Sequence, residues 1–267
     1  MIISRSKQVP TPRSFYDFPA LYDAIHLADT PGEARVVLDI IARHGRSGTK
    51  DVLEPACGTG RHLDFLVERG FSATGYDLNA RALAFARRRT PEARLSRADM
   101  AAFRARDAFD AAFCLIGTFR HLATEAAALK HLRLTARALR PGGVYVVGLD
   151  LTDYAEAEPD EAGWEIEHRG RRLKHLLMTL PPDRRRRREK VVNFVTVETR
   201  RGERVLQDEY ELRSYDVAQW RTLVAKSAFR LAATYTQDGQ RTPLDKKTRY
   251  ALFALKKPNG NDLTATT

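Results

Sequence analysis

The stretch Asp51-Val-Leu-Glu-Pro-Ala-Cys-Gly-Thr-Gly60 constrains this 267-residue chain more than any other. A short apolar strand runs into an acidic residue, and a glycine turn then opens a helix. Gly58 and Gly60 lack a Cβ and tolerate positive φ, so backbone amides there can approach a ligand closely. The third glycine of a G-x-G-x-x-G dinucleotide loop would fall on Leu63, and Glu54 precedes the turn. A pyrophosphate site has no use for a carboxylate beside the anion. A ligand carrying positive charge fits this loop better.

The stretches that follow read as alternating helices and strands. Arg61 to Arg69 has helical spacing and stops at Gly70, and Phe71 to Tyr76 is a strand ending in Asp77, 17 residues past Gly60. A carboxylate at that strand end can accept both hydroxyls of a ribose; the structural alternative is a cap for the helix from Asn79 to Arg89. A short strand at Ala93 leads to Asp99-Met100. Phe109 to Ile116 is apolar enough to be buried on both faces, and its end, Gly117 to Leu122, lies where open α/β sheets bind ligands. Thr124 caps a helix to Leu139, with Leu129, Leu132, Leu134 and Leu139 as its apolar positions. Leu139-Arg-Pro-Gly-Gly reads as a proline stop and a tight reversal into a fifth strand.

Four ordered signals, E-P-A-C-G-T-G, Y-D-L, A-D-M and L-R-P-G-G, resemble the class I S-adenosylmethionine (SAM) methyltransferases over residues 14–256. The resemblance implies a Rossmann-like seven-stranded, mostly parallel α/β sheet with helices on both faces, and SAM as cofactor. It implies that Glu54, Ala56, Cys57, Gly58 and Gly60 receive the amino acid part of the cofactor. Asp77 and Leu78 then serve the ribose, and Asp99 and Met100 the adenine, with Leu115 and Ile116 at the fourth strand end. A tyrosine-bearing N-terminal helix closes over the cofactor in such enzymes, which nominates Tyr16 and Tyr22; a helix that merely packs on the core is the alternative. The string A-C-G-T-G-R-H-L and the inserted strands look most similar to nucleotide-sugar N,N-dimethyltransferases and glycine N-methyltransferase. His121 is the candidate base, with Tyr16 and Tyr215 lining the methyl site; a histidine satisfied by backbone is the alternative for His121.

From Leu151 the period changes to that of strands. Trp164 to Arg169, Leu173 to Leu180, Val191 to Glu198 and Val205 to Leu212 form an inserted antiparallel hairpin cover. The expected organisation is a disordered start (1–13), a SAM-binding core with its flap helix (14–150), a substrate-cover or dimerisation insert (151–213), the returning sheet (214–257) and a disordered tail (258–267).

Composition sets the outer limits. No run of about 18 apolar residues exists, so no membrane span is expected, and the N-terminus lacks the apolar core of a secretory signal. Cys57 and Cys114 have neither disulfide nor metal-ligand spacing, and a reducing, cytoplasmic setting with no metal is expected. The net charge of +11 invites a nucleic-acid reading. Only ten of the 45 basic residues are lysine, however, and the excess is spread over both halves of the chain. The one local cluster, Arg169 to Lys190, holds ten basic and two acidic residues, and its Arg184–Arg188 run reads as a solvated hairpin end. The expected activity is methyl transfer to a nitrogen or oxygen of a small molecule, with a homodimer through the hairpins as an expected assembly. An RNA methyltransferase using the basic cluster, or a SAM-binding non-catalytic subunit, are the alternatives. The fourth strand ends in Ile-Gly-Thr-Phe, not in the D/N-P-P-Y/F of base-amino methylases, which disfavours the nucleic-acid alternative.

Overall fold

A computed structural model describes residues 14–200 and 202–259; the two expected disordered ends therefore fall wholly or largely outside the described residues. After a one-turn 3₁₀ helix at Phe15–Asp17 come α1 (Pro19–His26) and α2 (Thr30–His44). The alternating part follows as β1 (Asp51–Pro55), α3 (Arg61–Val67), β2 (Ser72–Asp77), α4 (Ala80–Arg89), β3 (Arg94–Arg97), β4 (Phe109–Cys114), α5 (Glu125–Ala138) and β5 (Leu139–Asp150). Four strands, β6 (Asp160–His168), β7 (Arg171–Thr179), β8 (Arg188–Thr199) and β9 (Gly202–Arg213), precede α6 (Val217–Ala225), β10 (Arg230–Tyr235) and β11 (Tyr250–Lys256).

The main sheet has the order β10-β11-β5-β4-β1-β2-β3, with β11 antiparallel to both of its neighbours and the rest parallel. Alternation along the central strands divides the core in two. Ala112, Cys114, Tyr145, Val147 and Leu149 face α5 and α6, where they meet Leu132, Ala136, Trp220 and Leu223. Their neighbours Ala111, Phe113, Val144 and Val146 face Val37, Ile40 and Ile41 of α2 and Leu63 and Leu66 of α3. Both faces are covered, and the strands accordingly read as near-continuous apolar runs.

Thr30 is the first residue of α2, and its hydroxyl accepts from Arg61 Nη1 at 2.7 Å. Two local expectations change. The Leu139 to Gly143 segment is no separate reversal: β5 starts at Leu139, and Arg140 to Gly143 bulge out between the pairs Phe109–Leu139 and Ala111–Val144. A Cβ on Gly143 would sit 2.8 Å from Asp110 O, so the bulge requires glycine there. On α5 the inward face is Ala128, His131, Leu132, Thr135 and Ala136, not a leucine row.

Strands β6 to β9 form a separate antiparallel meander in chain order. Its inner face shares a third core with the N-terminal segment, in which Phe15, Ala24 and Ile25 pack on Leu173 and Val195. Phe15 is 3% exposed, and its burial contributes about 2 kcal/mol. Ser14 Oγ and the Phe15 N–H both donate to Asp208 on β9 at 2.9 Å. The flap and the insert are thus one layer, laid over the carboxyl ends of the main sheet.

Candidate active site

A cavity of about 1280 Å³ lies between the carboxyl ends of β1, β2, β4 and β5 and this upper layer. Tyr16, Tyr22, Ala56, Gly58, Asp77 and Leu78 line it, and so do Asp99, Met100, Leu115, Ile116 and His121. Glu54, Cys57, Gly60 and Tyr215 do not. The Cys57 side chain is buried over β2, where a Cβ on Gly75 would come within 2.7 Å of its Sγ; its N–H donates to Tyr76 O at 3.0 Å. Gly60 packs against Ala86 and begins α3. Tyr215 is fully buried among Phe119 and Trp220, with the Arg187 guanidinium 5.0 Å from its ring. It is a core residue beside the β9 end and stands away from the methyl site.

The loop is built for close approach. Ala56, Gly58 and Gly60 all have positive φ, at 53°, 53° and 72°, and a Cβ on Gly58 would meet no protein atom. The Gly58 N–H donates to Asp77 Oδ2 at 2.9 Å and the Asn79 N–H to Asp77 Oδ1 at 2.7 Å. Asn79, not Asp77, caps α4, its Oδ1 accepting from Arg81 and Ala82 N–H. Each Asp77 oxygen keeps a lone pair for a further donor. Burial pushes the Asp77 carboxyl up, against the pull of its backbone donors. Thr59 Oγ1 donates to Asp23 at 2.8 Å, and Asp23 also takes a bidentate Arg89, so the loop and α4 both hold α1 in place.

Glu54 lies one layer behind the cavity. His62 Nδ1 is 2.8 Å from Glu54 Oε1, and its Nε2 is 2.9 Å from Glu33 Oε2. Both carboxylates accept, so an imidazolium satisfies both. Burial, the largest influence, opposes that charge, but the Glu54 charge and the hydrogen bonds to Glu33 and Glu54 together outweigh it, and His62 is raised. Glu33 is lowered to about 2: burial acts against it, and the His62 bond and the Arg61 guanidinium prevail. Glu33 alone of this group reaches the cavity wall. Glu54 Oε2 and Arg61 Nη2 remain buried without a partner. The sequence signal for this network is the charged pair Arg61-His62 in the first turn of a helix that is otherwise buried.

The opposite end is fixed by His131, which is fully buried. Its Nδ1 lies 3.0 Å from Met100 O and its Nε2 2.8 Å from Tyr145 Oη. The carbonyl can only accept, so Nδ1 donates and Nε2 takes the tyrosine proton. Burial lowers His131 to about 4, which keeps it neutral. Asp99 Oδ1 accepts from the Ala101 N–H at 2.6 Å, leaving the other oxygen free. Leu78 is 57% and Ile116 41% exposed, an uncommon display of apolar surface at a cavity. Ile116 also has φ 55°, a costly conformation for a β-branched residue, and such strain concentrates at functional sites.

His121 ends the 3₁₀ turn Thr118–His121 after β4. Its ring packs edge-on against Tyr16 at 5.8 Å and tilted against Tyr210 at 5.3 Å. Partial burial lowers its pKa, and the adjacent Arg120 adds to the effect; the imidazole is neutral at pH 7 and able to accept a proton. Arg120 is itself committed, bound to Asp150, Glu189 and Arg213 O. Tyr210, which the sequence reading does not single out, reaches the cavity because β9 alternates and its inward residues meet the flap.

The basic cluster is divided by the fold. Arg169 to Arg172 stand at one end of β7 and Arg184 to Arg188 beyond the other, roughly 26 Å apart at the strand rise. Arg172 pairs with Glu165, Lys174 with Glu198, Lys190 with Glu209 and Arg187 with Glu125. No continuous cationic face results. Both cysteines are free and buried, and no described helix is long and apolar enough to cross a membrane.

A mostly parallel sheet with a glycine loop, an acid at the end of β2 and a covered cavity defines a nucleoside-cofactor fold. Residues 52–143 match the family model described as methyltransferase domain. The dTDP-3-amino-3,6-dideoxy-alpha-D-glucopyranose N,N-dimethyltransferase of Streptomyces fradiae is 33% identical over 150 residues, 54% of this chain and 58% of that one. Glycine N-methyltransferase of Rattus norvegicus is 34% identical over 136 residues, 44% and 45% of the respective chains. The chain thus matches about half the length of these curated relatives, 58% of the first and 45% of the second. Among solved structures, the sugar N-methyltransferase KedS8 from Streptoalloteichus sp. aligns with a TM-score of 0.75 at 25% identity, covering 97% of this chain and 99% of that one. DesVI of Streptomyces venezuelae shares the fold, with a TM-score of 0.76 at 22% identity over 93% and 100%. Over residues 52–143 the chain is thus similar to methyltransferase domains, and its described residues share the fold of these solved structures.

Proposed function

We propose that the chain is a SAM-dependent methyltransferase acting on an amine nitrogen of a small molecule. The observation that carries this reading is the meeting of Gly58, Asp77, Asp99 and His121 in one covered cavity. The residues suit the cofactor. Gly58 leaves room beside Asp77 for a ribose, and the open Leu78 and Ile116 side chains offer faces for a planar base. Glu33, the member of the Glu54–His62–Arg61 network that reaches the cavity wall, offers a carboxylate to the ammonium of the cofactor's amino acid part. SAM, when bound, supplies a methyl group on a sulfonium whose sulfur leaves as a neutral thioether. The protein's part is alignment and exclusion of water, worth up to ~7–11 kcal/mol. His121 takes the proton that the acceptor nitrogen gives up, and Tyr16 and Tyr210 hold the imidazole in orientation. The divided and paired basic cluster favours this reading over RNA methylation.

Calorimetry with S-adenosylhomocysteine tests the cofactor assignment, and absence of binding at millimolar ligand would sink it. The Asp77→Ala variant is expected to weaken that binding about 100-fold, since two hydrogen bonds to a carboxylate contribute ~1.5 kcal/mol or more each. Unchanged affinity would reduce Asp77 to a prop for the Gly58 loop.

A homodimer through the insert belongs to the same proposal. The outer face of β7 to β9 presents Leu176 and Val205, 37% and 52% exposed, and the register places Phe194 and Val192 on the same face. Sedimentation is expected to give a dimer that Val205→Asp dissociates; a monomeric wild type at tens of micromolar would refute it.

A further inference from the structure

Inside the cavity, on the inserted sheet, stands a polar pair that neither the methyl chemistry nor the cofactor uses. His175 on β7 and Asn193 on β8 are 3% and 2% exposed, and both line the cavity. His175 Nε2 lies 3.0 Å from Asn193 Oδ1. The amide oxygen only accepts, so Nε2 carries the hydrogen and Nδ1 is bare. His175 Nδ1 and Asn193 Nδ2 are both buried without a partner. One acceptor and one donor are thereby left open; an amide flip would exchange their roles and leave the same two. Groups left so are costly unless a ligand completes them, and hydroxyls, which both donate and accept, can complete each.

Two neighbours narrow the ligand. The Trp164 ring lies nearly parallel to His175, 5.1 Å between centroids and 22° between planes, and is 40% exposed at the cavity. It offers an apolar plate for a ring that also carries hydroxyls. The loop from β5 into β6 brings Asp153, Glu158 and Asp160 to the cavity, none in an ion pair among the described residues. The arginines of the wall, Arg120 and Arg249, are placed with acidic partners: Arg120 with Asp150 and Glu189, Arg249 4.0 Å from Glu156. Among the described residues, a diphosphate entering here would meet these carboxylates and only two arginines that already face acidic side chains, whereas an ammonium would be attracted.

We infer that the inserted sheet holds an acceptor subsite for a cationic, hydroxylated ring that bears no phosphate, a free amino sugar or aminocyclitol, with His175 and Asn193 bonding ring hydroxyls, Trp164 covering a ring face and Asp153, Glu158 and Asp160 drawing in its ammonium groups. The inference rests on the small-amine reading above. It departs from the nucleotide-linked sugars for which the Streptomyces fradiae relative is named.

Trp164 reports occupancy directly, because the only other tryptophan, Trp220, is fully buried. Titration of the whole protein with 2-deoxystreptamine, with and without S-adenosylhomocysteine, is expected to quench Trp164 emission, while thymidine diphosphate leaves it unchanged to millimolar concentration. Asn193→Leu should weaken amine binding at least tenfold without altering S-adenosylhomocysteine affinity. Asp153→Asn combined with Asp160→Asn, in which the amide oxygens can keep the bonds from Ala155 and Glu161 N–H, should weaken it about tenfold and flatten its salt dependence. Thymidine diphosphate binding more tightly than the amine, or wild-type quenching in both variants, would overturn the inference. Failure of S-adenosylhomocysteine to bind would instead strike the cofactor reading, since the titration without it judges the subsite alone.

Discussion

His121→Gln is expected to lower kcat by ~10²–10⁴-fold, the range that a positioned base contributes, with S-adenosylhomocysteine affinity unchanged. His121 sits at the end of β4, away from the Asp77 and Asp99 ends of the cavity, and its contacts are the rings of Tyr16 and Tyr210. Glutamine keeps the size and polarity but accepts no proton at neutral pH. The pH profile separates a base from a prop. Only the neutral imidazole can accept a proton, and its pKa is depressed by burial and by Arg120. The wild-type rate should therefore hold through pH 7 and fall only below about 6.5, the ordinary histidine value. A variant that keeps both the rate and this acid limb would show that His121 takes no proton.

The largest effect on stability is expected at His62. In His62→Leu, Glu54 and Glu33 face one another across an apolar side chain, and breaking a buried charge network in this way costs about 3–5 kcal/mol. Both carboxylates are well buried, with side chains 8% and 16% exposed, so solvent screens little of it. The pH dependence has two limbs of opposite sign. His62 is raised, so its contribution is complete below the ordinary histidine pKa and is lost as pH rises through the raised value. Glu33 is lowered to about 2, so its contribution is complete above the ordinary glutamate pKa and is lost as pH falls toward 2. Burial also raises Glu54, which His62 holds down. Urea midpoints of the wild type should be highest at mildly acidic pH and decline on the alkaline side; in the variant, where Glu54 loses the imidazolium, the decline should set in at lower pH and be steeper. An equal decline in both proteins would place the titrating group elsewhere.

The sheet-end side of the cavity is legible in the sequence because each of its parts is a strand end followed by a short turn. Gly58, Asp77 and Asp99 need only local signals and their order to be placed along it. Longer-range partners are another matter. The Glu33–His62–Glu54 chain joins two helices and a strand, and only the odd placement of Arg61-His62 hints at it. His131 reads as one more residue of a leucine-bearing helix, yet packing turns it inward to hold Met100 O. Tyr215 follows the insert in sequence, which suggests the methyl site, but it is the first residue back in the main core and is buried by Trp220. Alternation in β7 and β8 shows that two faces exist. Which one meets the cavity is decided by Phe15, more than 150 residues earlier, and this is why His175 and Asn193 carry no signal of their own.

The layer that joins flap and insert has a kinetic consequence. Asn79, beside the Asp77 carboxylate, donates from Nδ2 to Tyr16 O at 2.7 Å, and Phe15 next to Tyr16 is seated in the insert's core. The segment over the nucleoside pocket and the roof over the acceptor therefore open as one body. An enzyme so built should follow a compulsory order, loading its nucleoside before the roof settles on the acceptor and surrendering both products in a single opening.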